Sequence, residues 1–255
     1  NFCWCDPVQS AKTPDGEYKL AQLVRANMAI YDYTTAFGVP CISGKDSMKN
    51  DYQIGKTKIS IPPTILYSVI GPIRDVRKAV TMDAKQPGDL VYIVGETAEE
   101  MGGSEWYAMK HFIGNNPPKV DAQSALKIYR CLHQAIQAEI IASCHDCSDG
   151  GLAVALAEKA LAGMLGMTVD LQAVPYRGKK RNDCILFSES ASRLVVTIRP
   201  EHQQSFEKIL KGSLIAKIGV VTDDNRLTVT GIENKTIICE KISALKRAWQ
   251  KTLNF

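Results

Sequence analysis

Cys144-His145-Asp146-Cys147-Ser148-Asp149-Gly150-Gly151-Leu152 is the stretch on which the reading of this chain turns. Two aspartates and two glycines stand directly before an apolar run, Leu152 to Met164, of helical length. Glycine lets a backbone come close to a ligand. A helix start offers unpaired N–H groups and the positive end of the peptide dipoles, which suit phosphate. Asp146 and Asp149 are hard oxygen donors of the kind Mg²⁺ takes together with phosphate oxygens. The same residues also fit a plain helix start, with Ser148 or Asp149 as N-cap and the glycines making the turn. A C-x-x-C pair, Cys144 and Cys147, adds a third reading, thiol redox or zinc chemistry, for which Cys3 and Cys5 could supply further thiolates. Without a thioredoxin-like setting, two incidental thiols is the simpler account.

Working outward, Asp121 to Ala142 reads as one long helix with Leu126, Tyr129, Leu132, Ile136 and Ile140 on its buried stripe. Upstream, Leu90 to Val94 is a strand, and Gly102-Gly103-Ser104-Glu105 opens a helix to His111, either as a second phosphate-type turn or as an N-cap with Glu105 favouring the dipole. Downstream, strands are expected at Met167–Leu171, Arg193–Ile198, Ala216–Val221 and Arg226–Thr230, and helices at Pro200–Leu210 and Lys241–Trp249. Phe187-Ser188-Glu189-Ser190 sits before a strongly apolar strand, where polar residues line a site or make a surface turn.

Toward the N-terminus, Gly16 to Phe37 carries Leu20, Leu23, Val24, Met28 and Tyr31 at helical spacing and is stopped by Gly38 and Pro40. Val39 to Ser43 reads as a short buried strand running into the polar loop Gly44-Lys45-Asp46-Ser47-Met48-Lys49. In that loop Lys45 suits a phosphate, Asp46 a metal or ribose, and Ser47 a phosphate oxygen; a polar turn is the plain alternative. Lys58 to Ile70 reads as strand broken by Pro62-Pro63, and Gly71 to Asp89 as a connector. Strands and helices thus mix in an α/β pattern without the regular alternation of a doubly wound sheet.

Across 255 residues the net charge is +4, 45% are hydrophobic and 23% charged, which is ordinary for a globular chain. No apolar run approaches the ~20 residues of a membrane helix. The densest basic cluster, Arg177, Lys179, Lys180 and Arg181, lacks the aromatic interleaving of a nucleic-acid groove. Neither membrane nor nucleic acid is an expected partner. Eight dispersed cysteines and no evident secretory segment lead to the expectation of a reduced, cytoplasmic protein. Asn1-Phe2-Cys3-Trp4 reads as the middle of a longer chain. No G-x-x-x-x-G-K-[ST] phosphate loop and no G-x-S-x-G nucleophile elbow occur.

Taken in order, V-P-C-I-S-G-K-D-S-M-K (Val39 to Lys49), G-G-S-E (Gly102 to Glu105), H-D-C-S-D-G-G-L (His145 to Leu152) and F-S-E-S (Phe187 to Ser190) resemble the phosphoribosylformylglycinamidine synthase family, in the second half of its synthetase core. The resemblance covers nearly the whole chain. It implies an aminoimidazole ribonucleotide synthetase-like α/β fold with mixed sheets: a partial N-terminal domain over 1–83, a complete C-terminal domain over 84–234, and a tail, 235–255, expected to be helical. It implies ATP-dependent conversion of formylglycinamide ribonucleotide to the amidine, with ammonia derived from glutamine by a separate glutaminase domain or subunit. The remaining half of the synthetase core would be the other partner. Carried over by position, Asp146 is the implied Mg²⁺ ligand. Lys45, Asp46, Ser47, Gly102, Gly103, Ser104, Ser148, Asp149, Gly150, Gly151, Glu189 and Ser190 are the implied contacts to ATP, ADP or the phosphorylated substrate. Two alternatives travel with the resemblance. One is a structural half that keeps a non-catalytic Mg-nucleotide; the other is a different enzyme of the superfamily, such as a selenophosphate synthetase.

Overall fold

In the computed structural model, which describes residues 1–6 and 15–251, the chain divides between Arg74 and Asp75 into two units. The first contains β1 (Phe2–Cys3), α1 (Gly16–Phe37), β2 (Asp46–Ser47), β3 (Asp51–Ile54), β4 (Thr57–Ser60) and β5 (Thr64–Ile65). Helix α1 ends where the sequence says it must. Gly38 takes the left-handed conformation, and Gly38 N and Val39 N donate to Thr35 O and Thr34 O, closing the last turn. β1 pairs with β2 in parallel and with β5 in antiparallel sense, while β3 and β4 form a hairpin about Gly55-Lys56. Val39 to Ser43, expected as a buried strand, has no regular structure, and Ile42 is 80% exposed. The stretch has β-branched residues, but no strand among the described residues pairs with it.

The second unit is built on a seven-stranded mixed sheet. Its elements are β6 (Leu90–Val94), β7 (Thr97–Ala98), α2 (Glu105–Met109), α3 (Ala122–Gln137), β8 (Ile141–Asp146), α4 (Gly151–Gly163), β9 (Gly166–Asp170), β10 (Tyr176–Arg177), α5 (Asn182–Phe187), β11 (Leu194–Ile198), α6 (Gln203–Ile209), β12 (Ile215–Thr222), β13 (Arg226–Thr230), β14 (Thr236–Lys241) and α7 (Ile242–Gln250). The strand order is β14-β13-β9-β12-β6-β11-β8, antiparallel throughout except for the parallel β13–β9 pair. β7 and β10 form a separate parallel pair.

The continuous apolar character of β6 and β11 follows from cover on both faces. Alternate residues face opposite sides of a strand. Val91, Ile93 and Val195 pack in a core with α4, α5 and α7; Tyr92, Val94, Val196 and Ile198 pack in a second core with α3 and α6. Each such side chain, taken from water to full burial, stabilises the fold by about 1.5–3 kcal/mol.

Three details differ from the sequence expectation. The long helix expected over Asp121 to Ala142 ends at Gln137, and the chain re-enters the sheet as β8. The break is at Glu139, whose φ of 57° is left-handed, so a helical apolar pattern continues into a buried strand with no change of composition. The helix's buried face is Ala125, Ile128, Leu132 and Ala135, and Tyr129 is exposed. Residues 75–83, which the sequence groups with the N-terminal stretch, are bonded into the second unit: Thr81 O accepts from Cys144 N and Met82 O from Lys159 Nζ. The tail is not helical throughout, because Thr236–Lys241 pairs with β13 before α7 begins. Its residues 252–255 lie outside the described residues.

Candidate functional site

β8 delivers Asp146 to the edge of the sheet beside β11, where Leu194 pairs with it. The chain then turns through Cys147 to Gly150 and starts α4. Cys147 N donates to Arg193 O at 2.9 Å, which fixes the turn against the start of β11. Gly150 and Gly151 have φ of 77° and 65°, in the left-handed region. A Cβ on Gly151 would also run into the carbonyl oxygens of Ser188 and Leu186. Gly151 is bare because the Phe187–Ser190 loop packs directly on it, a reason the sequence did not suggest.

Five polar side chains meet around this turn: His145, Asp146, Ser148, Glu158 and Glu189. Ser148 Oγ donates to Asp146 Oδ2, and this bond, with help from the neighbouring His145, holds the Asp146 carboxyl below the usual range despite partial burial. Asp146 is therefore an ionised and exposed carboxylate. His145 is bracketed by acids, with Nε2 at 2.9 Å from Glu158 Oε2 and Nδ1 at 3.4 Å from Asp146 Oδ1. Across the turn, Glu189 Oε1 accepts from the backbone N–H of both Gly150 and Glu105, each at 2.9 Å. One carboxylate thus bridges the start of α4 and the start of α2. Asp146, Ser148, Asp149, Glu189, Ser192 and Arg193 line a cavity of about 420 Å³.

Neighbouring motif residues turn their polar atoms inward. Ser104 caps α2: its Oγ accepts from Tyr107 N and donates to Met101 O. Gly102 N and Gly103 N donate to Asn116 O and Ile113 O. Ser190 Oγ bonds both Ala98 N and Ala98 O, and Ser188 Oγ accepts from Glu100 N. None of these residues lines the 420 Å³ cavity; their bonds hold the segments behind it.

Residues 86–232 match the family model described as AIR synthase related protein, C-terminal domain. The chain belongs to this family. Among solved structures, Thermotoga maritima PurL complexed with ATP is 18% identical with a TM-score of 0.61, over 86% of this chain and 34% of that one. The same protein complexed with FGAR gives 18% and 0.65, over 84% and 36%. The PurLQS structure from Thermotoga maritima gives 17% and 0.65, over 96% and 36%. At this identity the likeness shows the fold. The chain spans about a third of the length of the PurL chains it matches.

The AIR synthase related domain contains the cavity and every singled-out residue from Gly102 to Ser190. Lys45, Asp46 and Ser47 lie outside the match, in the first unit, where Lys45 Nζ donates to Ser47 Oγ at 2.6 Å. The Cys144 and Cys147 thiols gain no support here for a redox role. Burial pushes both thiols up to about 11, so neither is a ready thiolate. Among the described residues no group of three or more His, Cys, Asp or Glu is placed to hold a metal. No helix among them is long and apolar enough to cross a membrane.

Sequence reasoning missed His145, Glu158, Thr97 and Arg193. The legible signal for Arg193 was its position: an arginine heading the otherwise apolar Leu194–Ile198 has nowhere to go but inward or to the loop beside it.

Proposed function

We propose that this chain is part of a phosphoribosylformylglycinamidine synthase, an ATP-dependent carbon–nitrogen ligase of purine biosynthesis. One observation carries the reading: Asp146, Ser148, Asp149 and Glu189 converge on a single cavity at the start of α4, inside the family domain. The PurL structures with ATP and with FGAR support it through their shared fold. In the reaction, ATP phosphorylates the amide oxygen of formylglycinamide ribonucleotide. Ammonia then adds at that carbon, and the oxygen leaves as phosphate, giving the amidine and ADP. Catalysis of this kind is mainly positioning and charge neutralisation.

Mg²⁺ suits the donors present. It binds through one or two carboxylates together with substrate phosphates, and Asp146, kept ionised by Ser148, with Asp149 beside it, supplies oxygens of that kind. The ion would neutralise phosphate charge. The chain's own part is to hold those carboxylates and to shape the cavity wall through Glu189. Lys45, Asp46 and Ser47 are proposed as a phosphate-facing loop of the same enzyme. The rest of the synthetase core and a glutaminase domain or subunit complete it, as the name PurLQS suggests for the relative. The cytoplasm is the proposed location.

A second reading is favoured by Glu189. Its carboxylate already takes the N–H groups of Gly150 and Glu105, donors that a phosphate would otherwise use. On that reading the nucleotide here is structural and never meets the substrate. Asp146→Asn in the full-length protein decides. Loss of ammonia-dependent amidine formation with folding intact supports the catalytic reading. Retained turnover with loss of copurified nucleotide and a lower Tm supports the structural one. No change in either sinks the metal assignment and leaves the loop a helix start.

A further inference from the structure

Arg193 is 1% exposed, and no carboxylate among the described residues bonds its guanidinium. Nε donates to Ser190 O at 2.9 Å, Nη1 to Thr97 Oγ1 at 2.9 Å, and Nη2 to Ser188 O. A buried guanidinium is costly unless its donors are satisfied, and here all three bonded nitrogens point at one short segment and the strand beneath it. The two carbonyls it holds, Ser188 and Ser190, are those on either side of Glu189. The hydroxyls of the same two serines pin the segment again, to Glu100 N and to Ala98 N. Around this clamp two positions have no room for a Cβ: Gly95 against Ser192 O and Arg193 Cγ, and Gly151 against Ser188 O. With the backbone fixed on both sides, the Glu189 side chain is left to face Gly150 N and Glu105 N.

We propose that Arg193 is a positioning residue for the cavity: by gripping the carbonyls that flank Glu189, it aims that carboxylate to staple the α4 turn to the start of α2. The planar fork is the essential feature, since a lysine ammonium cannot reach both carbonyls and Thr97 in one geometry. The spacing of the two glycine turns is then set by Arg193, whose bonded guanidinium nitrogens are spent on Ser188 O, Ser190 O and Thr97 Oγ1. Only the nucleotide arm of the test below rests on the function proposed above.

The test uses the whole chain as Arg193→Lys, Arg193→Met and Glu189→Gln, with residue-resolved amide hydrogen exchange as the primary readout. In Arg193→Lys and Arg193→Met, the Gly150 and Glu105 amides are expected to exchange about tenfold faster, as loss of one hydrogen bond predicts. The Val169 and Val220 amides of β9 and β12 should stay unchanged. Glu189→Gln, which keeps an acceptor oxygen but loses the charge, should leave the same two amides only partly protected, and millimolar methylguanidinium should restore their protection in Arg193→Met. Unchanged exchange at Gly150 and Glu105 in Arg193→Lys overturns the proposal, as does acceleration spread evenly over the sheet. If Arg193→Met does not fold, the lysine and glutamine variants still decide it. MgATP titration of the same variants separates the two ideas. Faster exchange with weaker binding supports both; faster exchange with unchanged binding upholds the positioning role and counts against a nucleotide in this cavity.

Discussion

The two units carry similar apolar patterns and bury them very differently. In the second unit, Ile93, Leu156, Val195 and Phe206 are fully buried, and helices cover both faces of the sheet. In the first, α1 has apolar residues at the same three- and four-residue spacing as α3, yet Met28 is 60% and Tyr31 71% exposed; only Gly16 and Lys19 of that helix are buried. Ile42 and Ile70, at 80% and 84%, continue the pattern along the unit. An amphipathic stripe says that a face is suited to cover; it does not say that the surrounding residues provide it. Exposed apolar surface on this scale marks contact with something else or a liability to associate.

The largest expected effect tests that difference directly. Leu156→Ala in α4 opens a void in a closed core and should cost about 2–5 kcal/mol. Met28→Ala on α1 should stay within about 0.5 kcal/mol. Urea unfolding of both variants measures this, and equal losses would break the comparison.

The two buried lysines give the next effect. Lys159 is fully buried, and burial lowers its pKa from 10.5 to about 8; its ammonium donates to Met82 O and Ser143 Oγ. Between pH 8 and 10.5 the folded state therefore binds fewer protons at this site than the unfolded state, and stability from this group rises with pH by up to about 3 kcal/mol across that window. Lys19 in the first unit has the opposite sign. Burial pulls its pKa down, but the hydrogen bond to Asp15 and the charges of Cys5, Asp15 and Asp51 outweigh it and hold the value above 10.5. Its contribution is present below 10.5 and lost as pH rises through the folded pKa. Lys159→Met should abolish the alkaline gain in a pH series of melting temperatures. A variant that melts with the same alkaline slope as the parent would show that Lys159 carries none of it.

The smallest effect concerns helix starts. Ser104 caps α2 with its hydroxyl, whereas Asp15 makes no side-chain cap bond to α1. Ser104→Ala should cost about 1 kcal/mol, and Asp15→Ala, whose own carboxylate is exposed and loses an ion pair to Lys19, less than about 0.5 kcal/mol. Reversal of that order in thermal unfolding would place the more tightly held helix start in the first unit.

Periodicity made most of the second unit legible. Strands β6, β9, β11, β12 and β13 and helix α4 stand where apolar spacing and turn residues put them. It failed where a helix passes into a strand without a polar break, at Glu139, and at β14, whose Thr236–Lys241 is mostly exposed and shows no apolar face. In the site, the motifs brought Asp146 and Asp149 into view as two acids beside two glycines, and Glu189 as an acid between two serines ahead of an apolar strand. They could not show that Ser104 and Ser190 face inward, since a hydroxyl reads the same as a cap, a pin or a ligand contact. Nor could they pair His145 with Glu158, which meet across the β8–α4 connection rather than along the chain.

The strand order of the sheet also sets a schedule. β6 lies inside it, between β11 and β12, and Val94 pairs with Leu194, 100 residues later in the chain. During synthesis at about 5–20 residues per second, β6 therefore emerges roughly 5–20 s before its first partner exists. Through that interval Leu90-Val-Tyr-Ile-Val94 is an unpaired apolar strand outside the ribosome, while α3 and α4 form beside it from local contacts. The sheet closes only when β11 and β12 arrive. Codon choice or chaperone binding that lengthens or shields this wait acts on yield without touching the stability of the finished fold.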